Sequence, residues 1–146
     1  MRTLLRIVKP ACALFTLLLA SCAILSMGDM SNLEIRVMLS GANEVPPVDT
    51  SASGAGTIFV AADKTINGAI TTTDIVGIAA HIHIGAAGTN GPVIFPLARD
   101  GANTWLVPTG TKISDAQFEN LKKGELYINV HSAAHKGGEI RGQLTP

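Results

Sequence analysis

The first ordered pattern in the chain is Leu33-Glu-Ile-Arg-Val-Met-Leu39, in which Leu33, Ile35, Val37 and Leu39 share one face and Glu34 and Arg36 the other. Alternation with period two is the mark of a half-buried strand. Residues 56–62 and 68–75 are rich in Thr, Ile and Val, and residues 63–67 between them predict a hairpin turn. Ile78, Ala80, Ile82 and Ile84 give another apolar face. Residues 93–97 and 104–107 read as short strands; Leu126, Ile128 and Val130 line one face of a further strand, and residues 139–144 form the last. Residues 41–48, with Pro46-Pro47, are a loop or an edge. One helix interrupts the series: Ser114 and Gln117 form a capping box, residues 115–123 follow with Phe118 and Leu121 on the apolar face, and Gly124 is the stop. Lys122 and Lys123 occupy the last turn, where cations suit the helix dipole. Seven or eight short strands without internal repeats predict an all-β chain: an antiparallel β-sandwich or barrel with one short helix.

The N-terminus follows a different rule. Arg2, Arg6 and Lys9 precede an apolar run over residues 11–20, about half of what a transmembrane helix needs and right for a secretory signal. The run ends in Leu19-Ala20-Ser21-Cys22, which resembles a bacterial lipobox with Cys22 as the lipidated mature N-terminus. An ordinary signal peptide cleaved after Ser26 or Gly28 is the alternative. The expected organisation is a signal over residues 1–22, a tether over 23–32 and a domain over 33–146. The expected location is the cell envelope, anchored by lipid at the outer membrane, periplasm or cell surface; Ala23 after the cysteine leans to outer-membrane sorting in a Gram-negative host.

Composition gains meaning once that segment is set aside. The whole chain has 146 residues, 11 basic and 11 acidic side chains, 47% apolar residues and a mean hydropathy of +0.33. A 15% charged fraction beside that apolar content excludes a disordered chain, and the lack of basic excess excludes a dedicated nucleic-acid binder. Residues 1–22 carry three basic and no acidic side chains, so the remainder has eight and eleven, a net charge of −3. Both cysteines, Cys12 and Cys22, lie in the same segment. The domain therefore has no thiol, which excludes a disulfide framework, a zinc–thiolate site, a blue-copper site and cysteine catalysis.

All four histidines fall in two windows, Ala80-His81-Ile82-His83 and Asn129-Val130-His131-Ser132-Ala133-Ala134-His135. Strand parity puts His81 and His83 on one face, opposite Ile82 and Ile84; it puts His131 with Tyr127 and Asn129, opposite Ile128 and Val130. Adjacent strands would bring three imidazoles together, a nitrogen site suited to copper or zinc, with His135 as a fourth nitrogen or none. The competing reading is a solvated polar face whose histidines bond their neighbours. Met38 is the only thioether of the domain, and nothing in the pattern places it near the cluster. Gly85, Gly88 and Gly91 match neither phosphate-binding fingerprint and mark a turn-rich loop. Ser132 lacks a nucleophile-elbow motif, and no catalytic residue is assigned. Glu44, Glu139 and Arg141 either pair structurally or orient a histidine; Trp105 and Tyr127 either pack or mark a surface contact.

Four stretches in order, residues 39–48 (LSGANEVPPV), 80–83 (AHIH) leading into 88–93 (GTNGPV), 124–131 (GELYINVH) and 137–144 (GGEIRGQL), resemble the CHRD domain of chordin, which is also common in secreted bacterial proteins. The resemblance implies an immunoglobulin-like β-barrel similar to copper/zinc superoxide dismutase, whose copper-ligand strand the His-x-His strand resembles. It carries His81, His83 and His131 into the family's motifs; His135 sits where the family often has another polar residue. The dismutase's cysteines and a bridging zinc set are missing, so dismutase activity does not follow. The expected function is copper or zinc binding through this cluster, for metal binding, storage or simple redox chemistry, with the metal ion and the membrane as partners. The alternatives are a non-catalytic adhesion module for a protein or polysaccharide, and a copper-only dismutase-like enzyme. The anchor has its own measurement: Cys22→Ser should abolish acyl-chain labelling and release the protein from membranes, and unchanged fractionation would count against lipidation.

Overall fold

The computed structural model describes residues 32–146, so Cys22, the signal segment and all but the last residue of the tether lie outside the described residues. Nine strands form: β1 (Leu33–Ser40), β2 (Ser53–Val60), β3 (Ile66–Thr73), β4 (Gly77–Ile84), β5 (Val93–Pro96), β6 (Ala98–Asp100), β7 (Thr104–Leu106), β8 (Leu126–Ser132) and β9 (Ile140–Leu144). Among the described residues one α-helix, α1 (Asp115–Lys122), stands between β7 and β8, and a 3-10 turn (Gly41–Asn43) follows β1. Every pairing is antiparallel, in the order β5-β4-β8-β9-β1-β2-β3-β7-β6. The two ends of that order are consecutive in the chain. β5 pairs with β4, β6 pairs with β7, and between them the Leu97 N–H donates to the Ala80 carbonyl at 2.9 Å. With only Leu97 between them, β5 and β6 thus link both sheet edges and nearly close a barrel, which leaves little free edge to pair with other chains. Among the described residues no helix is long and apolar enough to cross a membrane.

The inward positions are those the alternation marks. Ile35, Val37 and Leu39 of β1, Ala80 and Ile82 of β4, Ile128 and Val130 of β8 and Ile140 and Leu144 of β9 are all buried in one cluster. Burying a side chain such as Ile128 is worth roughly 1.5–3 kcal/mol, and with no thiol in the domain this core carries the fold. The helix forms at its marked start. The Ser114 hydroxyl accepts from the Gln117 N–H while Gln117 accepts from the Ser114 N–H, and Gly124 ends the helix with φ +70°. Leu121 seals the core and Phe118 packs against it.

Three details differ from the pattern. β6 makes a ninth strand; all three of its residues are exposed, so it carries no apolar signal. Ile78 is 55% exposed despite its parity with Ala80 and Ile82, because the pairing register with β8 shifts between Gly77 and Ala79. The third difference positions the site. All seven residues of β8 are buried, although their sequence alternates. Leu126, Ile128 and Val130 point to the core. The outer residues lie under loops instead of water: Tyr127 meets Gly91, Asn129 meets Gly137 and His131 meets Lys136.

Candidate metal centre

β4 and β8 are hydrogen-bonded neighbours, with His81 opposite Asn129, His83 opposite Tyr127 and Ala79 opposite His131. That register puts His131 diagonal to His81 on the outer face, within reach of a long ring. The Nδ1 of His81 lies 2.9 Å from the Nε2 of His131. One ligand nitrogen from each of His81, His83 and His131 lies within 4.8 Å of the other two. A metal about 2.0–2.1 Å from each nitrogen separates cis ligands by about 2.9 Å and trans ligands by about 4.1 Å, so small ring movements close the set.

Two backbone carbonyls orient the rings. The Nδ1–H of His83 donates to the Gly91 carbonyl, and that of His131 to the Lys136 carbonyl, each at 2.9 Å. A ring that donates through Nδ1 keeps its lone pair on Nε2, the arrangement seen when a second bond fixes a ligating imidazole. The Nε2 of His83 is buried and has no hydrogen-bond partner. A buried polar atom without a partner costs roughly 1–3 kcal/mol, and a metal ion in the cluster would supply the missing partner.

Burial and close neighbours favour the neutral form of His81 and His131. Burial, with His131 and His83 close by, holds His81 below the ordinary imidazole value. Burial lowers His131 too; the bond to Lys136 pulls the other way and the neighbouring His83 adds to the lowering. Neutral imidazole is the ligating form. His83 and His131 are buried while His81 is half-exposed, so the cluster meets solvent through one ring.

This pair of strands lies inside a longer match: the model of the CHRD domain covers residues 35–144. The chain belongs to the CHRD domain family. No curated protein and no solved structure matches it. The CHRD stretch at residues 88–93 contributes the Gly91 carbonyl, and Gly91 must be glycine there: a Cβ would run into the backbone oxygen of Ile84.

Other candidate residues separate from the cluster. His135 sits in the β8–β9 loop of the CHRD domain, outside the three-histidine group; its carbonyl accepts from the Ser132 and Gly138 N–H groups and holds that turn. Met38 is 74% exposed on β1, which β9 separates from β8. Trp105 packs in the core. Tyr127 is buried too, and its ring stacks on His83 with centroids 4.7 Å apart and planes 9° from parallel. Glu44, Glu139 and Arg141 are all buried but form no ion pair among the described residues. Glu139 accepts from the Thr50 hydroxyl at 2.8 Å. Burial pushes the Glu44 carboxyl up, against the opposing pull of Arg141 and of hydrogen bonds from Asn129 and Val45. Arg141 instead reaches neutral oxygens, an outcome that charge counting in the sequence does not suggest.

The lowered His81 and His131 values have a definite sign. The unfolded chain takes up protons near pH 6.5 while the folded one resists, so stability is complete above that pH and falls as pH drops towards the folded values. Urea unfolding of the metal-free protein should show a falling midpoint from pH 7.5 to 5, and the His81→Gln, His131→Gln variant should show a shallower fall. Equal slopes would contradict the lowered His81 and His131 values.

Proposed function

We propose that this CHRD domain is exported as a lipid-anchored envelope protein and binds one copper ion through His81, His83 and His131. Its role is metal binding or storage, or a simple redox function. The observation that carries the reading is the buried, unpartnered Nε2 of His83 facing a cluster of neutral imidazoles. A three-imidazole set without thiolate suits copper or zinc. Copper is preferred to zinc because the His-x-His strand resembles the copper-ligand strand of copper/zinc superoxide dismutase. Zinc is the alternative metal. The lipid anchor rests on the lipobox at Cys22 and the short apolar run before it.

Titration of the purified protein with Cu(II) should show one tight equivalent with nitrogen hyperfine structure in its EPR spectrum. Affinity should fall in acid, below the ordinary imidazole value of about 6.5, because burial holds His81 and His131 under it. The His81→Ala, His83→Ala variant should lose the tight equivalent. Wild-type binding no tighter than that of the variant would overturn the metal reading.

A further inference from the structure

Arg141 is the largest fully buried side chain of the domain, at 1% exposure. A buried guanidinium is costly without compensation, and no carboxylate pairs with it among the described residues. Its compensation comes from neutral oxygens. Nη1 donates to the Thr89 carbonyl at 2.9 Å and to Asn90 Oδ1 at 3.4 Å; Nη2 donates to the Ala86 carbonyl at 3.0 Å and to Gln143 Oε1 at 3.2 Å. Three of these four acceptors belong to the loop between β4 and β5. The guanidinium carbon also lies 3.5 Å from the centre of the Tyr127 ring.

Both sets of contacts lead to His83. The clamped loop contains Gly91, whose carbonyl accepts the His83 Nδ1–H. Tyr127, under the guanidinium, stacks on the His83 ring. Its hydroxyl accepts from the Gly91 N–H at 3.1 Å and lies 3.4 Å from the Gly91 carbonyl. No comparable contact joins Arg141 to His131, whose Nδ1 partner, Lys136, lies in another loop.

We infer that Arg141 is a positioning residue of the metal centre, which sets the orientation of His83 through the β4–β5 loop and through the Tyr127 ring. This rests on the metal reading above for its consequence, and on the hydrogen bonds alone for its geometry. A lysine cannot replace it, because three donors on a point charge neither reach four acceptors nor lie flat on a ring.

The test uses Arg141→Lys and Tyr127→Phe in the full chain, with thermal unfolding to establish that each is folded. In the metal-free protein, 15N NMR should show the His83 Nδ1–H resonance moving in both variants while that of His131 stays in place. With Cu(II) as the probe, both should still bind one equivalent, about 10- to 100-fold more weakly for Arg141→Lys, the range for residues that orient ligands. The nitrogen hyperfine pattern should change as well. Unchanged affinity and spectra in folded Arg141→Lys, or equal movement of the His83 and His131 resonances, would overturn the inference. If Arg141→Lys does not fold, Tyr127→Phe decides: an unmoved His83 resonance overturns it. If the wild-type protein takes up no Cu(II), the metal reading falls, and the metal-free resonances still judge whether Arg141 fixes His83.

Discussion

A strand buried on both faces has to find partners for the polar groups on its second face, and β8 is such a strand, with Asn129 Oδ1 its one unpaired atom among the described residues. Its inner residues meet the barrel core, which asks only for apolar volume. Its outer residues, Tyr127, Asn129 and His131, lie beneath loops with His83 and Arg141 as neighbours. Each loop therefore has to arrive with the right carbonyl in the right place, since a buried donor left unpaired costs roughly 1–3 kcal/mol. The β4–β5 loop supplies the carbonyls of Ala86 and Thr89 to Arg141 and that of Gly91 to His83. The β8–β9 loop supplies Lys136 to His131 and Gly137 to Asn129. The same bonds that make this face stable leave the buried Nε2 of His83 without a partner, while the Nε2 of His131 meets only the Nδ1 of His81.

This division explains what the sequence makes legible. Strand parity depends only on residue spacing, so it places His81 and His83 opposite Ile82, and His131 opposite Val130, without knowledge of the fold. The capping box at Ser114 is as local, and the helix starts where it indicates. Backbone carbonyls, by contrast, leave no trace in residue identity: nothing about Lys136 marks its oxygen as the partner of His131. Arg141 misleads for a related reason. Its charge suggests Glu44 or Glu139, whereas its bonds go to carbonyl and amide oxygens, which are only brought near by the fold. Ile78 and β6 fail differently; one is displaced by a register shift, and the other has three exposed residues and no period to detect.

The resulting centre is asymmetric. His83 is held from three directions, by a carbonyl, a stacked ring and, through both, a buried cation. His81 is half-exposed and is the ring most open to an arriving ion. A rigid inner ligand beside an accessible one suits uptake of a metal from solution without collapse of the site, because the orienting bonds exist before any ion binds. The CHRD match spans residues 35–144 and so includes every one of these side chains; how they are arranged follows from this chain's own histidines and the carbonyls that aim them.

A metal held by this cluster would meet Nδ1 of His81 and Nε2 of His83 and His131. Long-range 1H–15N correlation spectra of histidine-labelled protein, recorded before and after one equivalent of diamagnetic Zn(II), read each ring nitrogen separately. His83 and His131 should hold Nδ1–H in both states and change only at Nε2, while His81 should change at Nδ1 and His135 should not change. Spectra in which His83 or His131 loses its Nδ1–H, or in which the metal moves His135 and leaves His81 untouched, would contradict this ligand set.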